Sequence, residues 1–280
     1  MTAGFGRRPA IGIDARKARD YGIGTYTRGL VDALAALPDA AGARFTLFVR
    51  PGDEPLFGTL PPDFSLVPEK ASGYSADELF RFGARIRGER LDLFHALHYV
   101  LPWRVGTASV VTIHDTIHLD FPADGVSPLR YPYARIMIRR ALAAAAAVIA
   151  PTAAVARELE ELSPAVAAKL ETIPHGVPPP FRTGVPDEDV SRVRNRYAIA
   201  GRYALYLGGA KPHKNVRRVV EAFRAARVDG LELVLAGPTP AAPAPANGGV
   251  RRIGVVEESD LPALYRGAEF LLYPTLAEGF

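Results

Sequence analysis

The 280-residue chain contains no cysteine, so disulfides and thiolate metal sites are excluded and cysteine usage says nothing of redox compartment. Long apolar runs are also missing. Ala141 to Ala150 is the longest candidate for a membrane span; it is too short and ends at Pro151. The first twenty residues, MTAGFGRRPAIGIDARKARD, lack the apolar core of a signal peptide. No long basic run appears; the positive residues are mostly arginine and scattered, and the formal charge is +4 with a pI near 9.4. Basic and aromatic residues are not interleaved as in single-strand binders, so a nucleic-acid partner is not expected. An anionic substrate fits this mild basicity, with weak peripheral contact at an acidic membrane surface as an accompanying reading. The expected location is cytoplasmic, with any such contact at the inner face of the membrane. Hydrophobic content of 48% and charged content of 23% are those of a soluble globular protein.

What is present is a repeated strand, glycine turn and helix. Tyr203 to Leu207 is an apolar run that stops at Gly208-Gly209, crosses a basic loop and enters a helical pattern near Val216. Such a turn presents backbone N–H groups to an anion. Lys211, His213 and Lys214 add positive side chains there, which suits a diphosphate; the alternative is a loop of merely solvated lysines. A second unit of this kind lies near the start. Ile11 to Ile13 reads as a buried strand, Gly22 and Gly24 flank Ile23, and Tyr26, Leu30, Leu34 and Leu37 recur at helical spacing up to Pro38. It is not the GxGxxG fingerprint, and helix packing explains such glycines as well as a ligand does.

Between these two stretches the rhythm is strand and helix. Strands are expected at Phe45–Val49, Phe64–Val67, Leu91–Phe94, Ser109–Ile113 and Val148–Ala150, and helices at Ala76–Arg90, Arg130–Ala147 and from Pro151-Thr152 to Leu162. Leu79, Phe82 and Ile86 form the apolar face of the first helix. Tyr133, Ile136, Met137 and Ile138 do so in the second, interleaved with Arg135, Arg139 and Arg140. That second helix reads as core-packed with a solvated basic side in preference to a membrane-surface helix. His95 and His98 follow one strand, and His114, Asp115 and His118 follow another, where open α/β sheets place their ligands. His114 and His118 have zinc-like HxxxH spacing but no HExxH glutamate, a poor metal reading. His95, His98 and His175 read as structural, and Tyr131, Tyr133 and Trp103 as core or hinge residues.

The proline-rich run from Val177 to Pro186 has the composition of a stiff, extended linker. Beyond it the order is strand 203–207, helix 215–227, strand 231–236, the loop PTPAAPAPANGG, strand 251–256, helix 259–266 and strand 269–273. The expected fold is α/β, with two doubly wound, Rossmann-like parallel-sheet domains. The domains expected are 1–177 and 178–280, the second incomplete because no helix follows the last strand; the chain reads as a truncated version of something longer.

Five stretches in order, GIGTYTRGL (22–30), VTIHD (111–115), ETIPHGV (171–177), LYLGGAKPHKN (205–215) and LPALYRGAEFLLYPTLAEGF (261–280), resemble glycosyltransferase family 4. These are retaining, nucleotide-sugar-dependent enzymes of the two-domain GT-B fold. The resemblance implies an acceptor-side domain at 1–177 and a nucleotide-sugar domain at 178–280. It implies that Gly22 and Gly24 let the backbone approach the donor diphosphate. His114 would lie beside the transferred sugar, Asp115 toward the acceptor and Lys214 on the diphosphate. His213 stands where many members have arginine, and Lys211 would supply the missing charge. Glu278, with Gly279 and Phe280, matches the start of the paired-glutamate motif that holds the donor sugar; its second glutamate would fall roughly eight residues further on.

No cofactor beyond a nucleotide-sugar substrate is implied, GDP-mannose or a UDP-hexose, and no metal is expected. Partners would be that donor and a glycan or lipid-linked sugar acceptor, with mannose favoured by the KPHKN form of the loop. Two other readings stay open: a non-catalytic nucleotide- or glycan-binding fragment, and a sugar-nucleotide epimerase on the same architecture.

Overall fold

The computed structural model describes residues 7–38, 42–121, 130–209, 211–238 and 249–280. Most of the PTPAAPAPANGG loop expected from the sequence lies outside them, as does position 210. The described residues divide into two compact units. One holds residues up to 176, together with 279–280, and the other holds 177–278.

Among the described residues the first unit has strands β1 Ala10–Asp14, β2 Arg44–Val49, β3 Phe64–Pro68, β4 Leu93–Ala96, β5 Ala108–Thr112, β6 Ala147–Ala150 and β7 Leu170–Thr172. Its helices are α1 Ile23–Ala36, α2 Ala76–Leu79, α3 Arg81–Gly88, α4 Ile117–Asp120, α5 Arg130–Ala144 and α6 Ala153–Leu162. The strands form one parallel sheet in the order β3-β2-β1-β4-β5-β6-β7. Strand order reverses between β1 and β4, which opens a crevice at their carboxyl ends. Both faces are covered. Ile13, Leu47, Val49 and Val31 pack on one side, and Phe48, Phe82, Phe94, Val111 and Ile138 on the other.

The second unit follows the same rule with fewer strands. Its elements are α7 Pro179–Arg182, α8 Asp187–Arg196, β8 Arg202–Leu207, α9 Val216–Ala226, β9 Leu231–Ala236, β10 Val250–Gly254, α10 Leu261–Gly267 and β11 Phe270–Leu271. The parallel sheet runs β10-β9-β8-β11, so its reversal lies between β8 and β11. Two parallel, doubly wound sheets are what the alternation of strands and helices predicts.

Several local expectations are corrected. The helix expected over 76–90 is broken at Phe80, because the Leu79 carbonyl accepts from the Trp103 amide at 2.7 Å. Strand β4 runs two residues further than expected, so His95 and Ala96 lie inside the sheet. In α5, Ile136 is exposed although it was placed on the apolar face; Ala134, Met137, Ile138, Ala141 and Leu142 are buried. The proline run is not wholly extended. Pro179–Arg182 is one helical turn, a place where proline's fixed φ is compatible with helix.

Helix α8 has no counterpart in the sequence reading, since DEDVSRVRNR shows almost no apolar periodicity. It is held from a distance. Asp260, 1% exposed, accepts from Arg192 Nη1 at 3.0 Å, Arg196 Nη1 at 3.0 Å and Tyr197 Oη at 3.1 Å. Burial pushes the Asp260 pKa up, but the bonds from Arg192 and Tyr197 and the charges of Arg196 and Arg192 prevail and hold it below the usual carboxylate range. A depressed folded-state pKa adds stability above the unfolded value of about 3.9 and loses it as pH falls through the folded value. Asp260→Asn is therefore expected to melt at lower temperature than wild type at pH 7. The gap should close as the buffer is taken from pH 5 toward pH 2, as followed by circular dichroism.

Candidate functional site

In the first unit the chain leaves β1 at Asp14 and makes a tight approach to α1. Tyr21 O accepts from Ile23 N at 2.8 Å across Gly22, whose φ of 70° and ψ of −66° form a γ-turn that a side chain strains. Gly24 is required for another reason. A Cβ there would lie 2.5 Å from the Ala18 carbonyl oxygen, so its missing side chain is explained by packing within this loop.

The same loop carries a cluster that the sequence reading missed. Arg16, 4% exposed, donates to both carboxylate oxygens of Asp14 (2.8 and 2.7 Å), to Glu78 Oε1 (3.0 Å) and to Ala71 O (2.9 Å). Its guanidinium lies 4.1 Å from the Phe82 ring centre. Glu78 also accepts from Tyr74 N at 2.6 Å while its own amide donates to Ser75 Oγ at 3.1 Å. Ser75-x-x-Glu78 is a capping signal that could have located this helix start.

At the carboxyl ends of β4 to β7 lies a group of imidazoles. His114, after β5, has Nε2 at 2.9 Å from Leu97 O and Nδ1 at 3.0 Å from His175 Nε2. The Tyr26 ring from α1 lies 4.9 Å from His114 and 4.5 Å from His175. Tyr26 Oη and His95 Nε2 share Thr112 Oγ1 at 3.2 and 2.9 Å. Burial lowers the pKa of His114 against the opposing effects of its Leu97 bond and of Asp115. Burial and then the proximity of His114 push His95 and His175 down to about 4. Burial thus favours the neutral form of these rings. Both ring nitrogens of His114 are engaged, so its imidazole has no free nitrogen. Asp115 turns the chain into α4, its Oδ1 accepting from Ile117 N at 3.1 Å. Gly279 and Phe280, expected beside Glu278, are grouped with this unit: Gly279 O accepts from Thr152 Oγ1 at 3.0 Å, and the Phe280 ring lies 4.9 Å from His175.

In the second unit the candidate residues lie on either side of the sheet's reversal point. Strand β8 ends at Gly208 and leads through a 3-10 turn, Pro212–Lys214, to α9; β11 leads to Glu278. Lys214 Nζ donates to Glu278 Oε1 and Oε2 at 2.5 and 2.7 Å and to Tyr273 Oη at 2.9 Å, and Tyr273 Oη donates to Glu278 Oε1 at 3.0 Å. Burial opposes both charges, but these bonds prevail: Lys214 is held above its ordinary pKa and Glu278 below. Asn215 takes the left-handed conformation (φ 60°, ψ 24°) that asparagine tolerates, and it starts α9 without a side-chain cap. The first turn of α9 has no acidic residue and carries Arg217 and Arg218. An uncapped, basic helix start beside a lysine offers positive charge and backbone donors of the kind that suit an anion.

Lys211 is exposed, as a ligand-facing cation requires. His213 is not. It is 2% exposed, and its carbonyl accepts from Leu276 N at 2.8 Å and Thr275 Oγ1 at 3.2 Å, so it ties the two loops together from within. Tyr273 and Gly237 were missed by the sequence reading. A Cβ on Gly237 would lie 2.1 Å from Gly208 O, so the ends of β8 and β9 close only with glycine there.

The chain aligns with O-antigen chain mannosyltransferase B of Escherichia coli, 31% identical over 101 residues, covering 31% of this chain and 26% of that relative's length. In fold it is similar to sucrose-phosphate synthase from Thermosynechococcus elongatus, with a TM-score of 0.69 at 19% identity over 98% of this chain and 77% of the other. It is also similar to Anabaena HepE, solved in complex with UDP and glucose, with a TM-score of 0.68 at 15% identity over 97% of this chain and 76% of the other. The two parallel α/β units are those of the GT-B fold. The profile of Glycosyltransferase Family 4 matches residues 21–180, and with more than half its length matched, the chain belongs to that family.

Proposed function

We propose that this protein is a retaining hexosyltransferase that moves a sugar, mannose by preference, from a nucleotide donor to a glycan or glycolipid acceptor. The observation that carries the reading is the clasp of Lys214, Tyr273 and Glu278 beside the uncapped start of α9. It provides a cation and backbone donors for a diphosphate next to a carboxylate for sugar hydroxyls. Support for a nucleotide-sugar donor comes from HepE, solved with UDP and glucose, and support for mannose from the aligned mannosyltransferase. On this reading residues 178–280 serve the donor and residues 1–177 the acceptor, with His114 and Asp115 beside the transferred sugar.

The reaction breaks the bond between sugar C1 and the diphosphate oxygen and forms one from C1 to the acceptor oxygen. Attack from the face that the diphosphate leaves retains the configuration, and the departing phosphate oxygen takes the hydroxyl proton. Lys214, Lys211 and the α9 amides stabilise the charge gathering on the leaving group. The protein's task is otherwise to position donor and acceptor.

The test is incubation with GDP-mannose or UDP-glucose and a lipid-linked glycan acceptor, with products read by mass spectrometry and anomeric NMR. A new glycosidic bond of retained configuration, formed faster from GDP-mannose, is expected. An epimerised nucleotide sugar, or bound but unaltered donor, would overturn the proposal; faster transfer from UDP-glucose would overturn the mannose preference alone.

A further inference from the structure

His114 and His175 stand 61 residues apart in the chain, at the ends of β5 and β7, yet their rings meet nitrogen to nitrogen at 3.0 Å. The proton positions follow from the partners. Leu97 O, 2.9 Å from His114 Nε2, can only accept, so that nitrogen carries the hydrogen. Burial disfavours the charged form of both rings, and in the neutral form each has one N–H. His114 Nδ1 is then a bare lone pair and must accept, and His175 Nε2 must donate. His175 Nδ1 is left as a second lone pair, buried and without a hydrogen-bond partner among the described residues. Among the described residues the one polar bond of the His175 ring is to His114. An unsatisfied buried nitrogen costs stability, and such a group calls for a reason to be there.

We infer that His175 is a positioning residue for His114. Its Nε2–H holds the imidazole of His114 in one tautomer and one orientation, from the Leu97 carbonyl across to the edge of the Tyr26 ring. While this chain of bonds is intact His114 is not a proton-accepting base. It offers the donor sugar a fixed ring and a fixed main-chain turn at the end of β5. The inference rests on the reading of His114 as a sugar-site residue, and its test separates the two.

His175→Gln places an N–H where Nε2 was, and His175→Phe keeps a ring without a donor. Thermal melting first establishes that both variants fold. In the wild type, nitrogen-15 NMR of His114 should show Nε2 protonated and Nδ1 as a hydrogen-bonded lone pair. His175→Phe should move the Nδ1 resonance to that of a lone pair without a donor, and His175→Gln should keep it near the wild-type position. In transfer assays, kcat of His175→Phe should fall by on the order of 10- to 100-fold with KM for the nucleotide sugar little changed, the size expected when a group that positions the substrate is misplaced. The glutamine variant should recover most of that loss. Equal loss in both variants, no loss in either, or a wild-type proton on His114 Nδ1 would overturn the inference. The spectra need no turnover, so a protein that transfers no sugar defeats the functional reading and leaves the nitrogen resonances to decide this one.

Discussion

Lys214→Ala is expected to weaken binding of GDP and UDP by about 10- to 100-fold. A hydrogen bond to a charged group is worth about 1.5–3 kcal/mol, and each 1.4 kcal/mol is about tenfold in affinity. The geometry gives a second reason for a large effect. In the free protein Lys214 is already bonded to both oxygens of Glu278 and to Tyr273. Its removal strips the proposed diphosphate site of a cation and leaves a carboxylate there, only about a quarter exposed, to repel the anion. Lys211→Ala, which removes an exposed cation from the same loop, should have a several-fold smaller effect. Calorimetric titration with either nucleotide measures both. Unchanged affinity in Lys214→Ala would remove the basis for placing the diphosphate at this loop.

The largest loss of stability is expected from Arg16→Met. Arg16 has only 4% of its side chain exposed and stands between the carboxylates of Asp14 and Glu78, with 11% and 3% exposed. The desolvation of such a triad roughly offsets its attraction, so its presence adds little net stability; removing one member is a different matter. Methionine fills much of the volume over Phe82 but leaves two buried carboxylates without the guanidinium that stood between them. Breaking a buried pair in this way costs about 3–5 kcal/mol. Urea unfolding followed by the fluorescence of Trp103, the single tryptophan and a residue of the first unit, reads the change as a lower midpoint. Replacing Asp14, Arg16 and Glu78 together with apolar residues should recover most of it.

The parts of this protein that were legible in the sequence are those whose signal is local. Apolar runs that end at Gly208 or in the turn before Gly22 announce strand, turn and helix within a few residues. The order of such units then leaves a doubly wound parallel sheet as the consistent solution. What escaped is set by contacts distant in sequence. Helix α8 is anchored by Asp260, 68 residues beyond Arg192. Arg16 finds Glu78 across 62 residues. The break at Phe80 depends on where Trp103 places its amide.

The candidate site divides in the same way. The basic loop was visible, but its spacing gives no account of which residues point outward. Of the three basic residues in this loop, Lys211 is exposed, Lys214 is clasped by Glu278 and His213 faces inward. Gly24 looked like a ligand-binding glycine, and the Ala18 carbonyl explains it by packing. Tyr273 carried no recognisable pattern, because its role between Lys214 and Glu278 exists only once β8 and β11 lie side by side.

The central claim is that a nucleotide sugar's diphosphate is bound at the start of α9 by Lys214. A crystal structure of the protein with GDP or UDP tests it most directly. The account predicts phosphate oxygens within hydrogen-bonding distance of Lys214 Nζ and the first amides of α9, with the bonds from Lys214 to Glu278 released or shared. A nucleotide bound elsewhere, with the contacts of Lys214 to Glu278 and Tyr273 undisturbed, would contradict it.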